Sequence, residues 1–280
     1  MSRRPPKAFD NSSFMNSSTA RPLRIMAEYM DPLDRLKMHK IQDMIVFFGS
    51  ARIPSPEEAH SLQERLANTT DPAEIQALRQ KLSLQHAYED AQKLAYSLAQ
   101  WSKTYSSDEM GTRFAIVTGG GPGIMEAANR GAKDAGTPSI GMSIAIPGEH
   151  EPNAYIDPEL SFQFHYFFMR KFWLTYLSKA VVVCPGGFGT IDEFSEILTL
   201  LQNQKIDRPC PILLLNKKYW TQVINFNAMI DHGVISEKTL SYLHMTDDID
   251  EGFTWLTQQL ASWAVLNPGA GMDEPLLSLL

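Results

Sequence analysis

Two glycine clusters stand where an apolar, strand-like run gives way to a helix-like one. The first reads Thr118-Gly119-Gly120-Gly121-Pro122-Gly123-Ile124-Met125, and the second Cys184-Pro185-Gly186-Gly187-Phe188-Gly189-Thr190-Ile191-Asp192-Glu193. Glycine at Gly119, Gly120, Gly121, Gly123, Gly186, Gly187 and Gly189 lets backbone N–H groups approach an anion closely, and a helix N-terminus adds partial positive charge. Phe188 lies within the second turn, and Thr190 adds a hydroxyl donor to its amide nest. Each cluster has a plainer reading. The first is also a tight strand-to-helix turn without a ligand, and Thr190 with Glu193 matches the S/T-x-x-E capping box. A dinucleotide fingerprint is not met, because the third glycine spacing fails and no acid ends the next strand, so NAD is not expected.

Between the clusters lies His165-Tyr166-Phe167-Phe168-Met169-Arg170-Lys171-Phe172-Trp173, two cations among aromatics near a helix start. Cations there oppose the helix dipole, which calls for another purpose, either ligand binding or an ion pair. His165 reads as a packed or hydrogen-bonded histidine and stays outside the catalytic set. Glu196, one turn beyond Glu193, is a second acid on the same helix face.

The elements that must position these groups alternate strand and helix. Strands are expected at 44–48, 114–118, 139–146, 180–184 and 212–215, and helices at about 123–135, 167–178, 191–202, 218–232 and 250–265. Apolar strands without polar alternation, interleaved with helices, predict a parallel sheet covered on both faces, an α/β Rossmann-like doubly wound fold. Residues 1–30, rich in Ser, Asn, Pro and Arg, read as a flexible tail. Residues 56–103 read as a helical hairpin broken at Thr69-Thr70-Asp71-Pro72, residues 31–265 form one domain with a helical insertion at about 56–86, and 266–280 read as a loose end.

At 280 residues and 44% hydrophobic composition the chain can bury one large core. A formal net charge of -7 gives no basic footprint for nucleic acid. The absence of a long apolar run or apolar leader points to a cytoplasmic protein without a membrane partner. Cys184 and Cys210, each in or beside a strand, read as inert buried thiols, and no metal set is indicated.

Met169-Arg170-Lys171 followed by Pro185-Gly186-Gly187-Phe188-Gly189-Thr190-Ile191-Asp192-Glu193 resembles the paired MRK and PGGxGTxxE signatures of the LONELY GUY (LOG) family, and the 119–125 turn resembles a third family element. The likeness spans roughly residues 43–232. It implies hydrolysis of nucleoside 5′-monophosphates, cytokinin ribotides or AMP, to free base and ribose 5-phosphate, without metal or cofactor. Matching positions imply Arg170 and Glu193 as the catalytic pair, Gly186 to Thr190 on the phosphate, and Glu149, Lys171 and Thr199 as further substrate contacts. The tail, insertion and C-terminal extension make the chain similar to the longer subtype. The lysine decarboxylase label often attached to such proteins has no chemical support here, since no Schiff-base lysine with a pyridine partner stands out.

Cleaving an N-glycosidic bond builds positive charge on the ribose, which a carboxylate such as Glu193 would stabilise. Arg170 stays charged and is a poor proton donor, so its expected role is electrostatic. The competing readings are a non-catalytic nucleotide or cofactor sensor or carrier, and a hydrolase of a modified nucleotide. The aromatic stretch Phe162 to Trp173 holds more apolar surface than one helix can hide. With the family likeness, it leads to the expectation of a homodimer or larger homo-oligomer.

Overall fold

The computed structural model describes residues 5–145 and 151–266. Strands β1 (Met44–Phe48), β2 (Ala115–Thr118), β3 (Ser139–Ile144), β4 (Ser161–Phe164), β5 (Ser178–Val183), β6 (Ile212–Leu215) and β7 (Leu243–Thr246) form one sheet. Their order is β4-β3-β2-β1-β5-β6-β7, and every neighbouring pair is parallel. The chain winds outward from β1 to β4, returns to place β5 on the other side of β1, and continues to β7. Loops leaving the carboxyl ends of β1 and β5 therefore diverge at the reversal point, where a ligand crevice opens in such sheets.

The helices are α1 (Ser12–Met15), α2 (Arg21–Met38), α3 (Pro56–Asn68), α4 (Pro72–Leu82), α5 (His86–Ser102), α6 (Ile124–Asp134), α7 (Phe167–Tyr176), α8 (Phe188–Gln202), α9 (Lys217–Val223), α10 (Phe226–Asp231), α11 (Glu237–Leu240) and α12 (Ile249–Trp263). They cover both faces of the sheet. Met44, Val46 and Phe48 of β1 point into one core with Trp173, Leu174 and Phe194, while Ile45 and Phe47 point into the other with Tyr88, Leu94 and Ile124. Each such side chain contributes about 1.5–3 kcal/mol over exposure. With all five positions of β1 buried, a polar residue on either face would forfeit that gain.

Local signals explain most element starts. Ser55 and Glu58 form a full capping box on α3, and Asp71 accepts the Ala73 N–H at 3.0 Å with Pro72 opening α4. The expected hairpin over 56–103 is three helices, because a second break falls at Ser83-Leu84-Gln85. The single helix expected at 218–232 is two, restarted where the Asn225 side chain accepts the Ala228 N–H. Strands β4 and β7 are not among those expected from the sequence. Both are four-residue edge strands, too short for a period-2 pattern to stand out.

The largest correction concerns the tail expected to run to residue 30, since α2 begins at Arg21. Tertiary bonds order this segment. The Glu28 carboxylate accepts the His165 N–H at 2.7 Å and the Tyr166 N–H at 3.2 Å, and the Glu28 carbonyl accepts Trp173 Nε1–H at 3.0 Å. Tyr29 packs on Phe172 and Trp173, and Arg35 donates to the carbonyls of Glu159 and Ser161. The α7 N-cap, Tyr166, makes no side-chain capping bond of its own, so Glu28 caps the helix that carries Arg170 from outside it. The loose end expected at 266–280 lies, beyond residue 266, outside the described residues.

Removing this remote cap should be measurable. Glu28→Ala is expected to cost about 0.5–2 kcal/mol, the range for lost caps, and Glu28→Gln, which keeps an acceptor, clearly less. Urea unfolding followed by circular dichroism reads the difference, and equal stability of all three proteins would remove Glu28 from this role.

Candidate functional site

The first glycine turn leaves β2 at its carboxyl end and is tied down by a buried amide network. Thr118 Oγ1 accepts the Gly120 N–H at 2.9 Å and donates to Asn129 Oδ1 at 2.6 Å, while Asn129 Nδ2 reaches Ser139 Oγ at 2.9 Å. Asn153 Nδ2 donates toward the carbonyls of Gly120 and Gly121 and toward Asn129 Oδ1. Gly123 has φ +69°, and a Cβ there would stand 2.4 Å from the Ser50 carbonyl, so both its conformation and its closeness to the loop after β1 need glycine. Sequence reasoning missed Asn129 and Asn153. The available signal was a polar, poorly helix-forming Asn on the otherwise apolar face of α6.

The second turn leaves β5 and opens α8. A Cβ at Gly186 would lie 2.1 Å from Thr190 Oγ1, whereas around Gly187 and Gly189 nothing lies within 4 Å. The turn is thus packed from behind by buried Thr190 and open in front, with Phe188 92% exposed beside it. Tyr219 O–H donates to the Gly186 carbonyl at 2.8 Å, a support from α9 that the sequence did not suggest. Because α8 starts at Phe188 with Gly187 as its N-cap and no side-chain capping bond, Thr190 and Glu193 do not form the capping box their spacing allows.

Glu193 instead pairs with Arg170 of α7 in a charge-assisted hydrogen bond between largely buried side chains. Burial pushes the Glu193 carboxyl above its ordinary value of 4.5, and Arg170 opposes that rise. The Arg170 guanidinium also lies beside the first turn, since a Cβ at Gly119 would stand 3.5 Å from Nη2. Its buried Nε has no hydrogen-bond partner among the described residues. Lys171 bridges to Asp192 at 2.7 Å and Glu196 at 3.0 Å, and although burial works against its charge, these two acids hold its pKa above the ordinary value.

The structure therefore brings Arg170, Glu193, Gly119 and the neighbouring turns together at the carboxyl rim of the sheet. It engages Lys171 in ion pairs along α8, and leaves Thr199 exposed, six residues or about 9 Å further along the helix than Glu193. Glu149 lies outside the described residues. The His165 side chain is exposed with its ring edge-on to Tyr166. A cleft of about 1110 Å³ adjoins the second turn, lined there by Gly186, Gly187, Pro185 and Tyr219, and Arg170 and Glu193 are not among its lining residues.

Both cysteines are buried, and burial pushes their thiols up, Cys210 to about 11, which keeps them protonated and unreactive at neutral pH. Among the described residues no group of three or more His, Cys, Asp or Glu is placed to hold a metal, and no helix is long and apolar enough to cross a membrane.

A family model described as "Possible lysine decarboxylase" matches residues 125–256, a span that includes Arg170 and Glu193. A probable cytokinin riboside 5′-monophosphate phosphoribohydrolase of Oryza sativa subsp. japonica is 25% identical over 161 residues, 57% of this chain and 69% of the relative. Among solved structures, a structural-genomics target is 20% identical with a TM-score of 0.48, over 77% of this chain and 99% of that one. A molybdenum cofactor carrier protein from Chlamydomonas reinhardtii is 18% identical with a TM-score of 0.45, over 79% of this chain and 99% of that one.

The two faces of the second turn predict unequal responses to one added methyl group. Gly186→Ala should be overpacked against Thr190 and lose about 1–3 kcal/mol, whereas Gly187→Ala, with open space around it, should lose clearly less, since only the N-cap preference for glycine over alanine is forfeited. Parallel urea titrations check this, and equal stability of the two variants would contradict the packing described.

Proposed function

The chain belongs to the LONELY GUY family, and from that premise we propose that it hydrolyses the N-glycosidic bond of nucleoside 5′-monophosphates, releasing free base and ribose 5-phosphate. The observation that carries this reading is the largely buried Arg170–Glu193 pair set beside the first glycine turn, with Glu193 on the helix that opens at the second. The first amides of α8 have no intrahelical acceptor, and no atom stands within 4 Å of where a Cβ at Gly187 or Gly189 would lie, which suits a 5′-phosphate. A phosphate held there puts the ribose within reach of Glu193, one and a half turns along the helix.

In this scheme Glu193 faces the anomeric carbon as positive charge develops, and orients or deprotonates the attacking water. Arg170 holds Glu193 in place and offers its unspent Nε–H to substrate oxygens or, through a water, to the departing base. As a guanidinium it acts through charge rather than as the proton source. The decarboxylase description gains nothing from the lysines nearest these elements. Lys171 is bound to Asp192 and Glu196, and Lys179, whose pKa burial lowers to about 8, pairs with Asp43 at the amino end of β5, the far end of the strand from Gly186.

We further propose that the protein works in the cytoplasm as a homodimer or larger homo-oligomer. Phe167, Phe168 and Phe188 are each more than half exposed and lie around α7 and the second turn, so a second copy covering them would adjoin the site.

A product assay over nucleoside monophosphates, scoring free base and ribose 5-phosphate, tests the activity. AMP should be cleaved and adenosine far more slowly, since the turns are built for an anion, and equal efficiency on the two would contradict the phosphate assignment.

Glu193→Gln keeps an oxygen for Arg170 but loses the negative charge. It should abolish turnover while nucleotide affinity stays within about tenfold, or about 1.4 kcal/mol. In the parent, kcat should fall as pH drops through a midpoint above 4.5, because the raised carboxyl must be ionised to act. Near-normal turnover by the folded variant would end the role of Glu193.

A further inference from the structure

Resting on the phosphate assignment above, we infer that the helical insertion builds a second anion subsite, so that the ligand is a nucleotide whose 5′-phosphate carries a further negatively charged group through a pyrophosphate link. The cleft beside the second turn measures about 1110 Å³. That is at or above the upper end of the roughly 300–1,000 Å³ usual for small-molecule sites. Arg170 and Glu193 are not among its lining residues whereas Gly186 and Gly187 are, so a 5′-phosphate on that turn stands at the edge of the cleft, with Glu193 further along α8. The ribose and base extend toward Arg170 and Glu193, and whatever the phosphate carries extends into the cleft.

The chemistry of the far wall identifies that group. Among the described residues three charged side chains line the cleft: Arg52 from the loop after β1, Glu58 of α3 and Lys81 of α4. Glu58 is occupied, since its carboxylate accepts the Ser55 N–H at 3.0 Å in the α3 capping box. Arg52 and Lys81 are exposed, and neither side chain has a hydrogen-bond or ion-pair partner among the described residues. Two unengaged cations line one cleft in a chain of net charge -7. They border a route that begins at the phosphate turn, an arrangement suited to a second phosphate and the sugar attached to it. The remaining wall is supplied largely by the insertion, with Leu62, Ala77 and Leu84 giving apolar surface for a sugar or base.

Hydrolysis of such a ligand is balanced without touching the pyrophosphate. The oxygen of water bonds to C1′, the C1′–N bond breaks with its electron pair on the base, and one proton of the water ends on the base while the other stays on the new sugar hydroxyl.

The test is an equilibrium titration of the wild-type chain and of an Arg52→Gln/Lys81→Gln double variant with AMP and with ADP-ribose, alongside base release from both. The wild type should bind ADP-ribose at least tenfold more tightly than AMP. The double variant should lose that margin while its Kd for AMP stays within twofold. Equal affinities in the wild type, a margin that survives the double substitution, or an equal loss for both ligands would each overturn the subsite. The outcomes are separable from those of the hydrolase reading. A tight, charge-dependent ADP-ribose complex without base release keeps the subsite and removes the activity, and AMP cleavage without the affinity margin does the reverse.

Discussion

The position of β1, hydrogen-bonded on one side to β2 and on the other to β5, is the constraint on which the site depends. Because all these strands are parallel, their carboxyl ends share one rim, and the short loop after β1 is caught between the two glycine turns. The Ser50 N–H donates to the Pro185 carbonyl at 3.0 Å, and the Ser50 carbonyl accepts the Ile124 N–H at 3.1 Å. One residue thereby joins the second turn to the first helical residue after the first. A register slip of β1 against either neighbour would separate the turns and also reverse every side chain between two full cores.

Charge is distributed along the sheet axis in two ways. At the amino end, Asp43 is fully buried between Arg113 and Lys179, and Arg113 also donates to the Ala264 carbonyl, so these ions tie β1, β2, β5 and the end of α12 together. Buried ions hold a structure only when their partners are close, because removing one leaves an uncompensated charge. At the carboxyl rim the pair is different in kind. Arg170 and Glu193 join only α7 and α8, retain some exposure, and leave a buried Nε without a partner among the described residues. An ion pair with an unspent donor at a ligand crevice fits a working site better than a structural clamp.

The strands that carry the core were legible because both faces are buried, which leaves continuous apolar runs such as 44–48 and 180–183. The glycine turns were legible because only glycine permits the close approaches at Gly123 and Gly186. The features that escaped depend on partners remote in sequence. Residues 21–30 look too polar to fold alone, and their order comes from Glu28 and Tyr29 meeting α7 more than a hundred residues later. The edge strands β4 and β7 escaped because each borrows its pairing from a neighbour that sequence periodicity does not reveal. Asn129 and Asn153 escaped because their work is to hold backbone carbonyls, which no side-chain motif records.

The segment Thr190-Ile191-Asp192-Glu193 shows why a local pattern does not settle a role. By spacing alone it is a capping box, and that reading requires the helix to begin just after Thr190. The helix begins at Phe188 instead, since Gly187 takes the N-cap position and its carbonyl accepts the Ile191 N–H at 3.0 Å. That shift places Thr190 and Glu193 both inside the helix. Thr190 is then free to pack behind Gly186, and Glu193 projects from the first turns toward α7, where Arg170 stands 23 residues earlier in sequence. The cation in turn sits near the start of α7, against the dipole of its own helix, and the Glu28 carboxylate at that helix start offsets the conflict. The geometry of the pair is therefore fixed by three helices, α2, α7 and α8, none of which specifies it alone.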